Sequence, residues 1–408
     1  MKAVDIARRT FLLGATAIAG GLAVGYFVTK PSRNPLEQEL KPDEVAFAPY
    51  VKIGHGNEIT IIVPRTEMGQ GVHTTLAAYV AEELDVSLDQ IKVEDGPVDS
   101  TYYNTAVVEE LVPFIDFDQG MLAGAARALK APAGKLLGIQ ITAGSTSARD
   151  GFERMRYAGA VLRAMLVAAA ADEWNADART FITENGTVID PTSDYSATYG
   201  QLSKKAARQN VPASVSLKPQ SQWKILGKSQ PRVDFSEKVT GTAIYGTDLN
   251  LPEMLHGTVR LGPGTESLPT RVDEAAALNV PGVVKIVPIY LPHGTGYGVI
   301  ATGQYAAFKG AEALAAEWDV PIDPADSTRM NAELKKKLKE PADFVLREEG
   351  NTALFFADAP RREIVEAQYS VPFLAHACME PINAAARVNN GFVEIWTASQ
   401  APTILRSL

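Results

Sequence analysis

Two short segments carry residue types suited to holding a rigid, polar ligand. Glu67-Met68-Gly69-Gln70-Gly71-Val72-His73-Thr74 sets a glutamine amide between glycines where a helix begins. The amide donates and accepts at once, and glycines let a flat ligand approach the backbone. Backbone N–H groups at a helix start have no partner inside the helix, so they are open to an anion. Ala143-Gly144-Ser145-Thr146-Ser147 adds hydroxyls in a flexible turn ahead of a second helix, again suited to phosphate or a polar heterocycle. Each segment alone is equally a plain structural turn. Together they point to a large, anionic, heterocyclic cofactor.

Other catalytic sets are scarce. The sequence has no Gly-x-Ser-x-Gly elbow, no HExxH and no Walker loop. Gly294-Thr295-Gly296-Tyr297-Gly298 is glycine-rich but precedes a strand, which speaks against a dinucleotide loop. His376 and Glu380 have a helical spacing that could hold a metal, yet Pro372 and Pro381 bracket them and no third ligand is evident. A structural role is expected for both. Cys378, the single cysteine, reads as a buried thiol. One cysteine also excludes an internal disulfide, a cysteine-based zinc site and an iron–sulfur cluster within residues 1–408.

The elements that must position these residues follow from periodicity. Tyr50–Ile53 and Ile59–Val63 flank the turn Gly54-His55-Gly56-Asn57 as a hairpin. Val72, Leu76, Tyr79, Val80 and Leu84 fall on one face of a helix that opens at the first glycine segment, and Ile91–Val93 reads as a strand after it. Residues 107–140 read as a loop-rich insertion. A helix from about Phe152 to Trp174 presents Leu162, Met165, Leu166 and Ala169 to the core. Asn175 to Lys218 is poorer in apolar residues and reads as a connector.

From Trp223 to Val320 the pattern is that of a compact α/β domain. Strands are expected at Ala243–Tyr245, Leu255–Leu261, Val283–Ile289 and Gly298–Thr302, with helical pieces at Asp273–Leu278 and Ala306–Trp318. Lys335-Lys336-Lys337 reads as the solvated face of a linker helix. Arg362–Phe373 and Phe392–Thr397 alternate like strands of a further domain. Pro402 suits the first position of a helix whose apolar face begins at Ile404, Leu405 and Leu408. That helix stops without a cap, so the sequence reads as cut within it.

With 408 residues, 46% of them apolar, the chain has room for about two to four domains and a substantial core. With 39 Lys+Arg against 48 Asp+Glu the net charge is −9, and with no long basic stripe no nucleic-acid partner is expected. Residues 1–30 form a targeting segment. Arg8-Arg9-Thr10-Phe11-Leu12-Leu13 precedes a mildly apolar stretch, broken by Gly14, Gly20, Gly21 and Gly25, that carries no charge as far as Val28. An ordinary membrane anchor is the plain alternative. The paired arginines resemble a bacterial twin-arginine signal, which implies export to the periplasm of a folded, cofactor-loaded protein. Ala46-Phe47-Ala48 has the form of a cleavage site but is followed by Pro49, so a retained anchor stays open.

The paired segments also resemble a family. Glu67 to Gly71 with Thr74, then Gly144 to Ser147 with Arg149 and Asp150, are similar to the molybdopterin-binding large subunit of the xanthine oxidase superfamily. The branch is that of isoquinoline 1-oxidoreductase beta subunits and membrane-associated aldehyde dehydrogenases. Lys238–Tyr245 through Trp318-Asp319 resembles that family's α/β hammerhead domain. His376–Pro381 and Trp396–Gln400 resemble the opening of its molybdenum-binding domain.

The resemblance implies an α+β, multidomain fold: signal or anchor 1–30, linker 31–44, molybdopterin-binding segment 45–218, hammerhead 223–320, linker 321–350, and the start of a further molybdenum-binding domain at 351–408. It implies that Met68, Gly69, Gln70 and Gly71 contact the pterin, that Ser145, Thr146 and Ser147 line its other side, and that Gln400 bonds an oxo ligand of the metal. No residue here ligates the metal directly.

The implied cofactor is molybdopterin, as its cytosine dinucleotide, with molybdenum. The implied reaction is hydroxylation of an aldehyde or an aromatic N-heterocycle with water as the oxygen source. Its basic glutamate lies in a Gly-Glu-Pro-Pro-like motif that residues 1–408 lack, as they lack the Gly-Gly-Gly-Phe-Gly segment expected after Gln400. The catalytic glutamate is therefore expected beyond Leu408, and this chain alone is expected to be inactive. The implied partners are the C-terminal half of the large subunit, a small subunit with [2Fe–2S] clusters, a membrane cytochrome and a small-molecule substrate. The rivals are a truncated, non-catalytic protein that keeps the fold and a membrane-anchored anion-binding module.

Overall fold

The computed structural model describes residues 34–110, 121, 130–264, 267–291, 294–319, 326–344 and 350–407. The targeting segment at 1–30 lies outside the described residues. The chain divides into two units, Met1–Thr247 with Glu380–Leu408, and Asp248–Met379.

In the first unit, β1 (Glu44–Phe47), β2 (Val51–Gly54), β3 (Ile59–Val63) and β4 (Ile91–Asp95) form one sheet in that order. The expected hairpin is β2 and β3, paired antiparallel with Val51 opposite Ile61. β3 and β4 run parallel, which requires a crossover, and α1 (Val72–Leu84) supplies it. Ile-Thr-Ile-Ile-Val is buried along its whole length in β3, as a central strand covered on both faces must be.

The long α2 (Thr146–Trp174) lies against α1. The two approach so closely that a Cβ on Gly159 would stand 2.8 Å from the Val80 carbonyl oxygen. Val72, Leu76, Val80 and Leu84 of α1 and Leu162, Met165, Leu166 and Ala169 of α2 meet in the core as their spacing predicts. α2 begins at Thr146, a turn and a half before Phe152, so its first turn belongs to the Ser/Thr segment itself.

Two buried carboxylates break the apolar pattern of α1. Glu83 accepts from Arg156 Nε at 3.0 Å and from Lys218 N at 3.2 Å, and Glu82 accepts from Ile225 N at 2.7 Å and Leu226 N at 3.0 Å. They fix the segment from 218 to 226 along the helix. Asn175–Lys218 is more than a connector. It forms a three-stranded sheet, β5 (Ile182–Glu184), β6 (Thr187–Ile189) and β7 (Ser196–Thr198), and then α3 (Tyr199–Ala206). Tyr199 is buried and donates its hydroxyl to Leu84 O at 2.7 Å, which docks this piece on α1. The expected loop at 107–140 likewise holds helices, Thr105–Glu110 and Lys130–Leu137.

The second unit contains β8 (His256–Leu261), β9 (Leu268–Asp273), β10 (Val283–Leu291), β11 (Gly294–Ala301) and β12 (Ala315–Asp319). One sheet has the order β10-β11-β8, and β12 pairs with β9. Helix α4 (Gln304–Ala313) ends before Trp318, against expectation. Buried Leu314 ends it, and the following residues alternate in β12. The glycine-rich run is part of β11, where a Cβ on Gly296 would stand 2.7 Å from Arg260 O. Those glycines serve strand packing.

Two expected strands are absent from the described chain. Ala243–Tyr245 joins no sheet, with Ile244 exposed, and Arg362–Phe373 is a short turn followed by chain outside any sheet, with Val365 and Tyr369 exposed. Alternation alone does not make a strand without a partner. Cys378 is exposed, which corrects the buried reading. His376 lies on non-helical chain, so the helical spacing to Glu380 is not realised. Lys335–Lys337 ends an exposed helix, Ser327–Lys337.

The chain returns to the first unit as β13 (Ala384–Asn389) and β14 (Phe392–Thr397), an antiparallel pair, and α5 (Pro402–Arg406). Glu380 accepts from Gly246 N at 2.6 Å and from Asn383 Nδ2 at 3.0 Å, a structural pair of bonds within that unit. The architecture is α+β with several small sheets.

Candidate functional site

Three segments far apart in sequence meet in the first unit. Thr66, at the root of the glycine segment, donates its N–H to Thr142 Oγ1 at 2.9 Å and its hydroxyl to Ser399 O at 2.7 Å. Thr142 N donates to Gln400 O at 2.7 Å, and Gln400 Nε2 donates back to Thr142 O at 2.7 Å. Gln140 N adds a bond to Thr403 Oγ1 at 2.9 Å. The glycine segment, the Ser/Thr segment and Gln400 are thereby brought together.

The glycine segment is a loop between β3 and α1. Gly69 and Gly71 have φ of 95° and 87°, a region that a side chain disfavours. No heavy atom lies within 4 Å of a Cβ placed on either. The glycines are therefore required by backbone conformation, and their outer faces are open. Met68, Gly69 and Gln70 are exposed and Gly71 is half-buried.

The Gln70 amide is not idle. Nε2 donates to Thr66 O at 2.9 Å and Oε1 accepts from Met68 N at 2.6 Å. One amide hydrogen and one lone pair are thus used inside the loop, and one of each is left over.

The start of α1 departs from expectation. The N–H groups of Gly71 and His73 are not open to an external anion, because Glu67 already occupies them. Glu67 Oε1 accepts from Gly69 N at 2.8 Å and Gly71 N at 3.0 Å, and Oε2 accepts from His73 N at 3.1 Å. Arg232 Nη2 stands 3.2 Å from Glu67 Oε1, and Arg232 Nη1 donates to Gly69 O at 2.8 Å. Partial burial pushes the Glu67 carboxyl upward, but the N–H donors and the Arg232 charge outweigh it and hold it below its ordinary range. Arg232 is itself gripped by Asp234 at 2.7 Å.

The Ser/Thr segment divides by orientation. Ser145 is exposed in a left-handed conformation with φ of 55°, and Ser147 is half-buried. Ser145 is the N-cap of α2 and Ser147 lies in its first turn. Thr146 does not line a surface. It is fully buried, donates to Ala143 O at 2.6 Å and accepts from Asn104 Nδ2 at 2.7 Å, which corrects its expected contact with a ligand. Its role is to pin the turn.

Below the loop lies a buried ion pair that sequence reasoning missed. Arg65 Nη2 meets Asp150 Oδ2 at 2.7 Å, with both side chains almost wholly buried. Arg65 also donates to Pro64 O at 2.8 Å and Tyr102 O at 2.9 Å, and Asp150 Oδ1 accepts from Thr105 N at 2.9 Å. The pair joins the end of β3 to the first turns of α2, and so fixes the glycine and Ser/Thr segments on one frame. Arg149-Asp150 stood beside the Ser/Thr segment in sequence, but nothing there pointed to Arg65 or Arg232. Among the described residues no group of His, Cys, Asp and Glu could hold a metal ion.

Comparison with known proteins follows the same lines. A family model described as a molybdopterin cofactor-binding domain matches residues 8–107, a range that contains the glycine loop. The chain is 28% identical to isoquinoline 1-oxidoreductase subunit beta of Brevundimonas diminuta, over 99% of this chain and 53% of the relative. It is 25% identical to a membrane-bound aldehyde dehydrogenase (pyrroloquinoline-quinone) of Gluconacetobacter polyoxogenes, over 99% of this chain and 50% of the relative. The chain thus spans about half the length of these curated relatives. Among solved structures, quinoline 2-oxidoreductase from Pseudomonas putida 86 matches with TM-score 0.30 and 19% identity, over 43% of this chain and 27% of that one.

Proposed function

We propose that this chain is a molybdopterin-binding subunit of the xanthine oxidase family and supplies one half of the cofactor surface of a molybdenum hydroxylase, a reading supported by the family model and the relatives it resembles. The observation that carries the reading is the meeting of the open Gly69 and Gly71 backbone, the exposed Ser145 and Gln400 around Thr66 and Thr142. A flat, polar group fits such a cradle. Met68, Gly69, Gln70 and Gly71 would hold it on one side, Ser145 and Ser147 on the other, and Gln400 would offer its remaining amide hydrogen toward the metal end. Molybdopterin supplies a redox-active metal that acidifies water for attack on an electron-poor carbon. The contribution of this chain is to orient and to exclude water: a rigid loop on one side, a pinned turn on the other, and a glutamine amide between them.

The substrates that this reading favours are aldehydes and aromatic N-heterocycles, following the names of the relatives. In this proposal the basic glutamate belongs to a C-terminal half, electrons leave through a [2Fe–2S] subunit and a membrane cytochrome, and the cofactor is the cytosine dinucleotide form. The chain is exported to the periplasm by the twin-arginine route. Among the described residues no helix is long and apolar enough to cross a membrane. The rival anion-binding module is disfavoured by Glu67, which fills the helix start that such a module would use.

The test is metal and pterin analysis of the chain purified from its host with the C-terminal half co-expressed. Molybdenum and a fluorescent oxidised pterin in stoichiometric amount are expected. Protein free of both would leave only the non-catalytic reading.

A further inference from the structure

A carboxylate that accepts three backbone N–H bonds from the loop it starts is doing what a bound anion would do. Glu67 takes Gly69 N and Gly71 N on one oxygen and His73 N on the other. Those three amides belong to residues on both sides of Gln70, so the carboxylate closes the loop around itself. The two glycines have φ of 95° and 87°, a conformation with little to hold it locally in a free chain. From outside, Arg232 spans the same loop. One end reaches the Glu67 carboxylate at 3.2 Å and the other donates to Gly69 O at 2.8 Å, while Val233 N donates to Thr74 Oγ1 at 3.1 Å. The loop is therefore held by its own first residue and by a segment that lies 163 positions further along the chain.

We propose that Glu67 is the positioning residue of the cofactor loop, a built-in anion that, buttressed by Arg232, sets Met68 to Gly71 in the ligand-ready conformation before any ligand arrives. The proposal rests on the cofactor reading above for what the loop receives, but not for how it is held. Glu67 touches no ligand in this role. It acts through the backbone of Gly69 and Gly71, whose outer faces it leaves open. A ligand that meets a loop already ordered does not bear the cost of ordering it, so affinity depends on the carboxylate without contact.

The role needs both charge and reach. Glutamine keeps the length but replaces one acceptor oxygen with a donor facing N–H groups. Aspartate keeps the charge but is one methylene shorter, too short to serve all three amides. Glu67→Gln is therefore the stronger perturbation and Glu67→Asp the partial rescue.

Two readouts test the proposal. Hydrogen exchange of peptides covering Thr66–Thr75 is measured on cofactor-free full-length chain, beside peptides covering Ile61 and Leu166 as a core control. Pterin content is measured on chain expressed with the C-terminal half in a bacterium that makes molybdopterin. In Glu67→Gln, loop exchange is expected to rise about tenfold and pterin content to fall by a similar factor, with core exchange unchanged. Glu67→Asp is expected to lie between this variant and the unsubstituted chain in both.

Unchanged loop exchange in Glu67→Gln overturns the proposal, and so does a loosened loop that still loads pterin fully. A role confined to global stability would instead raise core exchange. If that occurs, Arg232→Met, which withdraws only the outer buttress, decides on the same readouts: a looser loop with less pterin supports the proposal, and no change overturns it. Absence of pterin from the unsubstituted chain would defeat the cofactor reading. The exchange data would still decide whether Glu67 holds the loop.

Discussion

Arg65 and Asp150 form the strongest case for a residue whose removal should be felt far beyond its own contacts. Both side chains are buried and meet at 2.7 Å. Removing one partner of a buried pair costs about 3–5 kcal/mol when the other is left uncompensated, and here Asp150 would keep only Arg154 Nη2 as a cationic partner, at 3.6 Å. Arg65→Met should therefore lower the unfolding free energy of the first unit by up to that amount. Combining it with Asp150→Leu should cost less than the two single changes together, because no lone charge is left behind. Equilibrium urea unfolding of the three variants checks this.

Glu67 gives a second residue-scale prediction, through pH. Its carboxyl is held low in the folded chain, so its contribution is complete above the unfolded carboxyl range and is lost as pH falls through the lowered folded value. The difference in unfolding midpoint between unsubstituted chain and Glu67→Gln should be full at neutral pH and should vanish on acidification. A calorimetric pH series reads it directly. A difference that persists in acid would mean that shape, and not charge, sets the effect.

Elements show why some of the site was legible in sequence and some was not. α1 and α2 were legible because their apolar residues recur at helical spacing, and β2 and β3 because a glycine turn separates two β-branched runs. The glycine and Ser/Thr segments stood out by residue type, and the structure joins Thr66, at the root of the first, to Thr142, just before the second. What was hidden depends on partners distant in sequence. Glu82 and Glu83 lie outside the apolar face of α1 in sequence, yet they are buried against backbone N–H groups near Lys218 and Ile225. Thr146 read as one hydroxyl among three, and only Asn104 reveals that it points inward. Arg232 carried no local signal at all.

The α1–α2 contact is where the element scale can be tested. Gly159 sits where a Cβ would stand 2.8 Å from Val80 O and 3.0 Å from Glu83 Cβ. Backbone cannot yield as a flexible side chain can, so Gly159→Ala should cost about 1–3 kcal/mol by forcing the helices apart. Thermal unfolding should show it. A neutral result would mean that the helices are free to separate.

At the scale of the molecule, the targeting segment and the two units set the remaining expectations. The twin-arginine reading predicts that Arg8→Lys together with Arg9→Lys leaves the chain in the cytoplasm, as read by fractionation of the expressing cells. Periplasmic delivery of that variant would point to an ordinary anchor instead.

The two units differ in how much they bury. The core of the first runs through its sheet, α1, α2 and α3, whereas the second closes over Ala277, Ile286, Val299 and Leu314 with a few partly buried neighbours. A small core offsets less conformational entropy, so the second unit should open first on heating. The first unit is also tied together across the second, through Thr142 and Gln400, which are 258 positions apart. Both ends of those bonds belong to the first unit. Calorimetry should therefore resolve a minor transition below the main one. Replacing Asp248–Met379 with a short Gly/Ser linker should remove the lower transition and retain the upper. A single transition shared by all the described residues would mean that the insertion is energetically part of the site it interrupts. In that case, substitutions in the second unit would have to alter pterin loading as strongly as those at Glu67.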